Sequence, residues 1–515
     1  MPSASTFAGR PPHTVRRCLP VALVLALSAP PSAAQEPLAG FADYVAAGVE
    51  AWEVPGLAVA VVKDGELVFA RGFGQRQLGG QDPVTVETLF AIGSTTKAMT
   101  AAALGMLVDE GKLNWDDRVT EHLPDFELAD PYATREVRVR DLLTHRAGLG
   151  NADYLWYEQE TTPEEILHRI RYAEPAYSLR AGFIYQNIMY AAAGQVVAEV
   201  SGVPWADFVQ TRIFGPLGMK GAVPTMAARD RGPDVAAPHY RIDGTVEVIE
   251  NASVDPIAPA GAIWAGVEDM SRWMRFLLAV GVTEDGERLL SEETLAELFT
   301  PQAMVGPDQF YPTARLTKPH WTTYGLGWFQ HDYQGRAVDF HTGSIDGMVA
   351  IIGLIRDENL GVYVLANLDH AELRHALMYR VFDAFGHGPS RDWSAELLEL
   401  YGGFAAEGAA ARVRAEKARV EGTIPTLDPV EWAGTYTDRL YGTVEVTADG
   451  AGGLRFVYGP GLQGPLEHWN YDTFRVTWEA RWRGTSLVSF RLDNRGRPAS
   501  LEINGSVFTR RAEED

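Results

Sequence analysis

Strand signal sits at the two ends of the first three-quarters of this chain, with helix signal between them. Leu57 to Val62 and Leu67 to Arg71 read as two strands about Asp64-Gly65, a pair that accepts the positive backbone angles of a tight hairpin. Strand-like runs return only at Ala337 to His341, Met348 to Ile355 and Gly361 to Ala366. Helical periodicity covers Phe41 to Trp52, the middle segments Glu164 to Arg171, Tyr190 to Ser201, Trp205 to Ile213 and Met270 to Leu278, and a closing run from His370 to Phe385. The expected class is therefore α/β: one antiparallel sheet completed by both ends of a domain and flanked by helices, with a mostly helical domain inserted.

Beyond residue 387 the pattern changes. Residues 388–427 carry mixed charge and many alanines and read as a helical linker, bounded by Pro425 and Asp428-Pro429. Then come seven short β-rich runs: Gly434 to Tyr436, Tyr441 to Val446, Leu454 to Tyr458, Thr473 to Trp478, Ser486 to Leu492, Leu501 to Ile503 and Val507 to Arg510. Over residues 428–515 these predict a small all-β barrel or sandwich. Its aromatic residues Trp469, Tyr471, Phe474 and Trp478 read as core.

The N-terminus reads as a secretory signal peptide over residues 1–34, leaving 35–387 as the first folded domain. Arg10, Arg16 and Arg17 precede the apolar run Leu19 to Leu27, and Ser32-Ala33-Ala34 supplies small residues before Gln35. The Arg16-Arg17 pair also fits a twin-arginine signal. A secreted or periplasmic location is expected, and no later apolar run is long enough for a membrane span. Cys18, the one cysteine, begins the apolar run, so the mature chain is expected to hold no thiol or disulfide. That excludes cysteine nucleophiles and zinc-thiolate sites, and a formal charge of -23 disfavours nucleic acid as a partner.

Chemistry concentrates where Ser94 and Lys97 stand three residues apart at the head of an alanine-rich stretch, Ala98 to Leu107. At helical spacing these residues share a face. A lysine held in a dry pocket is depressed toward neutrality and can take a serine proton. The same tetrapeptide fits a helix-capping serine beside a solvated lysine, so its partners decide. Tyr185-Gln186-Asn187 is the one Tyr-x-Asn in the chain; a phenol there could pass a proton, and the amide could orient the lysine or hold a carbonyl. His341-Thr342-Gly343-Ser344 ends a predicted strand. Its glycine would admit substrate to the backbone, and the N–H of Ser344 could join that of Ser94 as an oxyanion hole.

These three motifs, in this order, resemble the active-site motifs of class C β-lactamases and the related penicillin-binding proteins, D-peptidases and esterases. The segments "AIGSTTKAMTAAALGMLVDEGKLNWDDRVTEHLP", "DLLTHRAGL", "IFGPLGM" and "YGLGWF" resemble that family's framework across about residues 40 to 385. The C-terminal region is similar to lipocalin-like domains appended to such hydrolases. The resemblance implies a cleft between the sheet domain and the helical domain. It implies that Ser94 is acylated, that Lys97 and Tyr185 shuttle the proton, with Tyr185 as base when water attacks, and that Asn187 holds substrate or Lys97. His341, Thr342, Gly343 and Ser344 line the substrate site, and no metal or cofactor is required.

One departure bears on substrate. His341 stands where β-lactamases and D-Ala-D-Ala peptidases usually carry lysine, and histidine is largely neutral near pH 7, which weakens the hold on a substrate carboxylate. The expected activity is a serine hydrolase of esters or D-amino-acid-type peptides in preference to β-lactams. The alternative is a non-catalytic penicillin-recognising sensor or binding protein on the same fold. Gly-x-Ser-x-Gly is absent, so an α/β-hydrolase elbow has no support. Tyr154, Trp156 and Tyr157 either line a substrate pocket or pack.

Overall fold

The computed structural model describes residues 36–229, 234–386, 391–448 and 452–512, so the signal-peptide segment and Cys18 lie outside the described residues. The first sheet holds β1 (Gly56–Lys63), β2 (Glu66–Gly74), β3 (Ala303–Met304), β4 (Thr322–Tyr324), β5 (Phe329–Tyr333), β6 (Arg336–Ile345), β7 (Met348–Ile355) and β8 (Leu360–Ala366). In space their order is β2-β1-β8-β7-β6-β5-β4-β3. The distant strand regions meet at the seam between β1 and β8, where Leu57 faces Ala366 and Lys63 faces Leu360, antiparallel.

Why the central strands read as unbroken apolar runs is plain from the two faces. Ala58, Ala60 and Val62 of β1 enter one core, and Leu57, Val59 and Val61 enter the other. Helices α1 (Phe41–Ala51) and α5 (Leu373–Phe385) cover one side of the sheet and α4 (Val267–Leu278) the other, while α2 (Lys97–Asp109) and α3 (Ile188–Ser201) pack against each other in the helical region that continues the α4 side. The first core takes α2, α3 and α4, and the second takes α1 and α5. A sheet covered on both faces leaves no polar side to show alternation.

A 25-residue helix, α6 (Trp393–Lys417), is anchored in the second core by Trp393 and Leu397 and has no fully buried residue beyond Leu397. It leads to a closed antiparallel barrel of β9 (Gly434–Asp438), β10 (Gly442–Ala448), β11 (Leu454–Val457), β12 (Gln463–Asn470), β13 (Thr473–Thr477), β14 (Thr485–Leu492), β15 (Pro498–Ile503) and β16 (Ser506–Arg510). Here alternation is clean: Val444 and Val446, Phe474 and Val476, Val488 and Phe490 point inward around Trp432 and Tyr436. Tyr471 corrects the expectation of an aromatic core residue. It occupies the turn between β12 and β13 with φ of 46° and is exposed. No helix among the described residues is long and apolar enough to cross a membrane.

Candidate active site

Ser94 lies in a single 3-10 turn, Gly93–Thr96, that runs directly into α2, and neither the turn nor the helix receives a side-chain cap. The capping alternative for Ser94 is thereby removed. Gly93 makes the turn possible with φ of 53°. A Cβ at Gly93 would lie 2.6 Å from the backbone nitrogen of Ser344, and a Cβ at Gly343 would lie 1.9 Å from the Ile92 carbonyl oxygen and 3.1 Å from the Ser94 nitrogen. Two glycines thus let the Ser94 turn and the end of β6 press backbone to backbone, bringing the amides of Ser94 and Ser344 beside one small space.

Lys97, the first residue of α2, is fully buried. Its Nζ donates to Ser94 Oγ at 2.9 Å, to Asn187 Oδ1 at 2.8 Å and to the Ala260 carbonyl at 2.9 Å. Burial lowers its pKa to about 7, with the nearby Asp153 carboxylate working in the opposite direction. Asn187 is the residue before α3 and does not cap it. Its amide nitrogen instead donates to Asp153 Oδ2 at 3.2 Å, which turns its oxygen to Lys97. Tyr185 shares a hydrogen bond with Ser94, and burial holds its phenol well above the ordinary tyrosine range. The Lys97 nitrogen lies 5.0 Å from the centre of the Tyr185 ring and 5.1 Å from that of Tyr190.

The third motif divides between backbone and side chains. His341 is buried, its Nδ1 bonded to the Thr342 carbonyl at 2.6 Å and its Nε2 to the Tyr324 hydroxyl at 3.0 Å. Burial first, and the Lys97 charge second, push its pKa down to about 3, so the ring is neutral. Thr342 Oγ1 is bonded to the Tyr311 hydroxyl at 2.6 Å. Gly343 and Ser344 are held from behind by buried Arg374, whose Nη1 donates to the Gly343 carbonyl at 2.6 Å and Ser344 Oγ at 3.0 Å while Glu372 neutralises it. The structure therefore joins Ser94, Lys97, Tyr185 and Asn187 by direct bonds, sets Gly343 and Ser344 alongside through their backbones, and leaves the His341 and Thr342 side chains bonded within the protein.

Sequence reasoning missed several participants. Asp153 orients Asn187 and also accepts from Trp156 Nε1 at 2.9 Å. His145 is buried with φ of 58°, its ring 4.3 Å from Tyr185 and 4.7 Å from Tyr324. It lies in the framework segment "DLLTHRAGL", the one signal that could have found it; Asp153 and the Ala260 carbonyl carry no comparable signal. Tyr154 and Tyr157 line a cavity, whereas Trp156 is buried. No group of His, Cys, Asp or Glu among the described residues is arranged to hold a metal ion.

A serine, a buried lysine, a tyrosine and paired backbone amides on a helix-flanked antiparallel sheet define a hydrolase of the β-lactamase fold. The β-lactamase family model matches residues 41–384, and the chain belongs to that family. Residues 418–514 match a domain of unknown function, DUF3471. The unguisins hydrolase ungD of Aspergillus violaceofuscus is 28% identical over 448 residues, covering 81% of this chain and 78% of its own. Protein flp of Staphylococcus aureus strain MW2 is 23% identical over 61% of this chain and 60% of its own. Among solved structures, the octameric penicillin-binding protein homologue from Pyrococcus abyssi superimposes with a TM-score of 0.60 at 22% identity, covering 92% of this chain and all of that one. The crystal structure of SurE with D-Leu gives 0.54 at 21% identity, covering 92% and 99%.

Proposed function

We propose that this protein is a secreted serine hydrolase that cleaves an ester or amide bond through an acyl group on Ser94. The observation that carries the reading is the 2.9 Å bond between Ser94 Oγ and a buried Lys97 whose pKa lies about 7. Near neutral pH a large share of Lys97 is then free amine, able to take the serine proton as Oγ attacks the carbonyl carbon. The amides of Ser94 and Ser344 receive the oxyanion. Tyr185, held as a phenol, gives its proton to the leaving oxygen or nitrogen as that bond breaks, and the Lys97 ammonium restores it. In the second half water attacks the acyl carbon. Its proton passes by way of Tyr185 to Lys97 and on to Ser94 Oγ, which leaves.

Neutral esters and peptides suit the site better than β-lactams. His341 is uncharged and turned inward, and Arg374 is neutralised by Glu372, so neither offers a fixed cation to a substrate carboxylate. Kinship with a protein named unguisins hydrolase supports hydrolysis as the reaction, and D-amino-acid-type peptides are the amide class we propose.

The test is a fluorophosphonate probe beside a short-chain p-nitrophenyl ester. Labelling at Ser94 with turnover lost in Ser94→Ala is expected. Labelling without turnover would favour a receptor, and turnover that survives Ser94→Ala would sink the mechanism.

A further inference from the structure

A cavity of about 480 Å3 lies between the hydrolase unit and the barrel, lined by Ser344, Tyr154, Tyr157 and Tyr240 on one side and Trp478 and Trp482 on the other. It therefore opens at the residue whose amide adjoins the Ser94 turn. Volumes of this size are typical of small-molecule sites. Space inside the barrel mouth beneath Tyr154 amounts to about 20 Å3, room for a single water. A ligand can be received against the rim of the barrel and not within it.

The walls are aromatic, and most of their polar atoms are already engaged. Tyr157 donates to Asp346 Oδ2 at 2.6 Å, and Trp482 Nε1 donates to the same oxygen at 3.0 Å. Trp478 Nε1 is bonded to Ser486, and the Tyr154 hydroxyl accepts from Asn504. Ring carbon is what these residues have left to offer. The charges are also spoken for: Arg483 is paired with Glu158 and Asp346 and lies over the Tyr157 ring, its carbon 4.9 Å from the ring centre, and the other charged pair of the lining, Asp369 and His370, is joined to itself. This network spans the two domains, so both walls are fixed before any ligand arrives.

We propose that the cavity is a subsite for an aromatic side chain of the substrate, and that the barrel, through Trp482, selects substrates for the serine. The proposal rests on the acyl-serine reading given above.

The test uses the full chain and the ratio of kcat/KM for the p-nitrophenyl esters of 3-phenylpropanoic and acetic acids, with fluorophosphonate labelling of Ser94 in parallel. The wild type is expected to favour the phenyl ester, Trp482→Ala to reduce the ratio about tenfold, and Trp482→Phe to restore most of it. Should Trp482→Ala fail to fold, Tyr240→Ala on the opposite wall reads the same ratio. A ratio unmoved by a folded variant, or a wild type indifferent to the phenyl group, overturns the subsite while labelled Ser94 upholds the chemistry. Absence of both labelling and turnover overturns the acyl-serine reading and the subsite with it.

Discussion

The sheet and the barrel are each made of eight antiparallel strands, yet they bury their side chains by opposite rules. In β7, Val349, Ile351 and Ile355 enter one core while Ala350, Ile352 and Leu354 enter the other. In β15, Leu501 is fully buried while neighbouring Ser500 is partly exposed. The sheet spends both faces on packing, so chemistry can be placed only at the end of a strand, where β6 passes beyond its pairing with β5 and presents Gly343 and Ser344. The barrel spends only its interior and keeps its outer rim for contact with the hydrolase unit.

The largest effect should separate the two regions by a single methyl group. Gly343→Ala puts a Cβ 1.9 Å from the Ile92 carbonyl and displaces the backbone beside Ser94, so kcat on a short ester should fall about 10^2–10^3-fold. Gly464→Ala is equally crowded, 2.0 Å from the Thr477 carbonyl, but it strains the barrel; a lower thermal transition with Ser94 labelling intact is expected. If both glycines cost the same activity, the division of labour is wrong.

Next comes stability, read by chemical denaturation. Ile351→Ala and Ile352→Ala should each cost about 2–5 kcal/mol because both faces of β7 are buried. In the barrel Leu501→Ala should cost a similar amount, while Ser500→Ala stays within about 0.5 kcal/mol. Equal costs at Leu501 and Ser500 would refute the one-faced burial of β15.

The pH profile gives a smaller and more specific signal. With Lys97 near 7 and its amine as the base, kcat/KM should rise about tenfold per pH unit below that value and level off above it. Asp153→Asn removes the charge that raises the Lys97 pKa, so the rise should move to lower pH; a shift to higher pH would contradict the assignment.

The same contrast explains what could be read in advance. β1, β7 and β8 were legible because two buried faces give continuous apolar runs, and the sheet completed by both ends of the domain was legible from their placement. β5 was not, because Gln330 and His331 interrupt it; both are buried by bonds to Asp339 and Tyr379 that no local pattern announces. β12 was hidden by Gly464, Pro465, Glu467 and His468. At the site, Ser94 with Lys97 and Tyr185 with Asn187 are short-range pairs and could be found. Asp153 and the Ala260 carbonyl meet the site only through folding across long separations.

The pairing of Leu57 with Ala366 also has a temporal meaning. At about 5–20 residues per second of synthesis, tens of seconds separate the emergence of β1 from that of β8. Through that interval β1, apolar on both sides, has β2 as its only sheet neighbour. A domain whose central strand is completed by its last strand has high contact order and folds late and cooperatively. That delay leaves one edge of an apolar strand unpaired during synthesis, so the nascent chain is open to aggregation until β8 arrives.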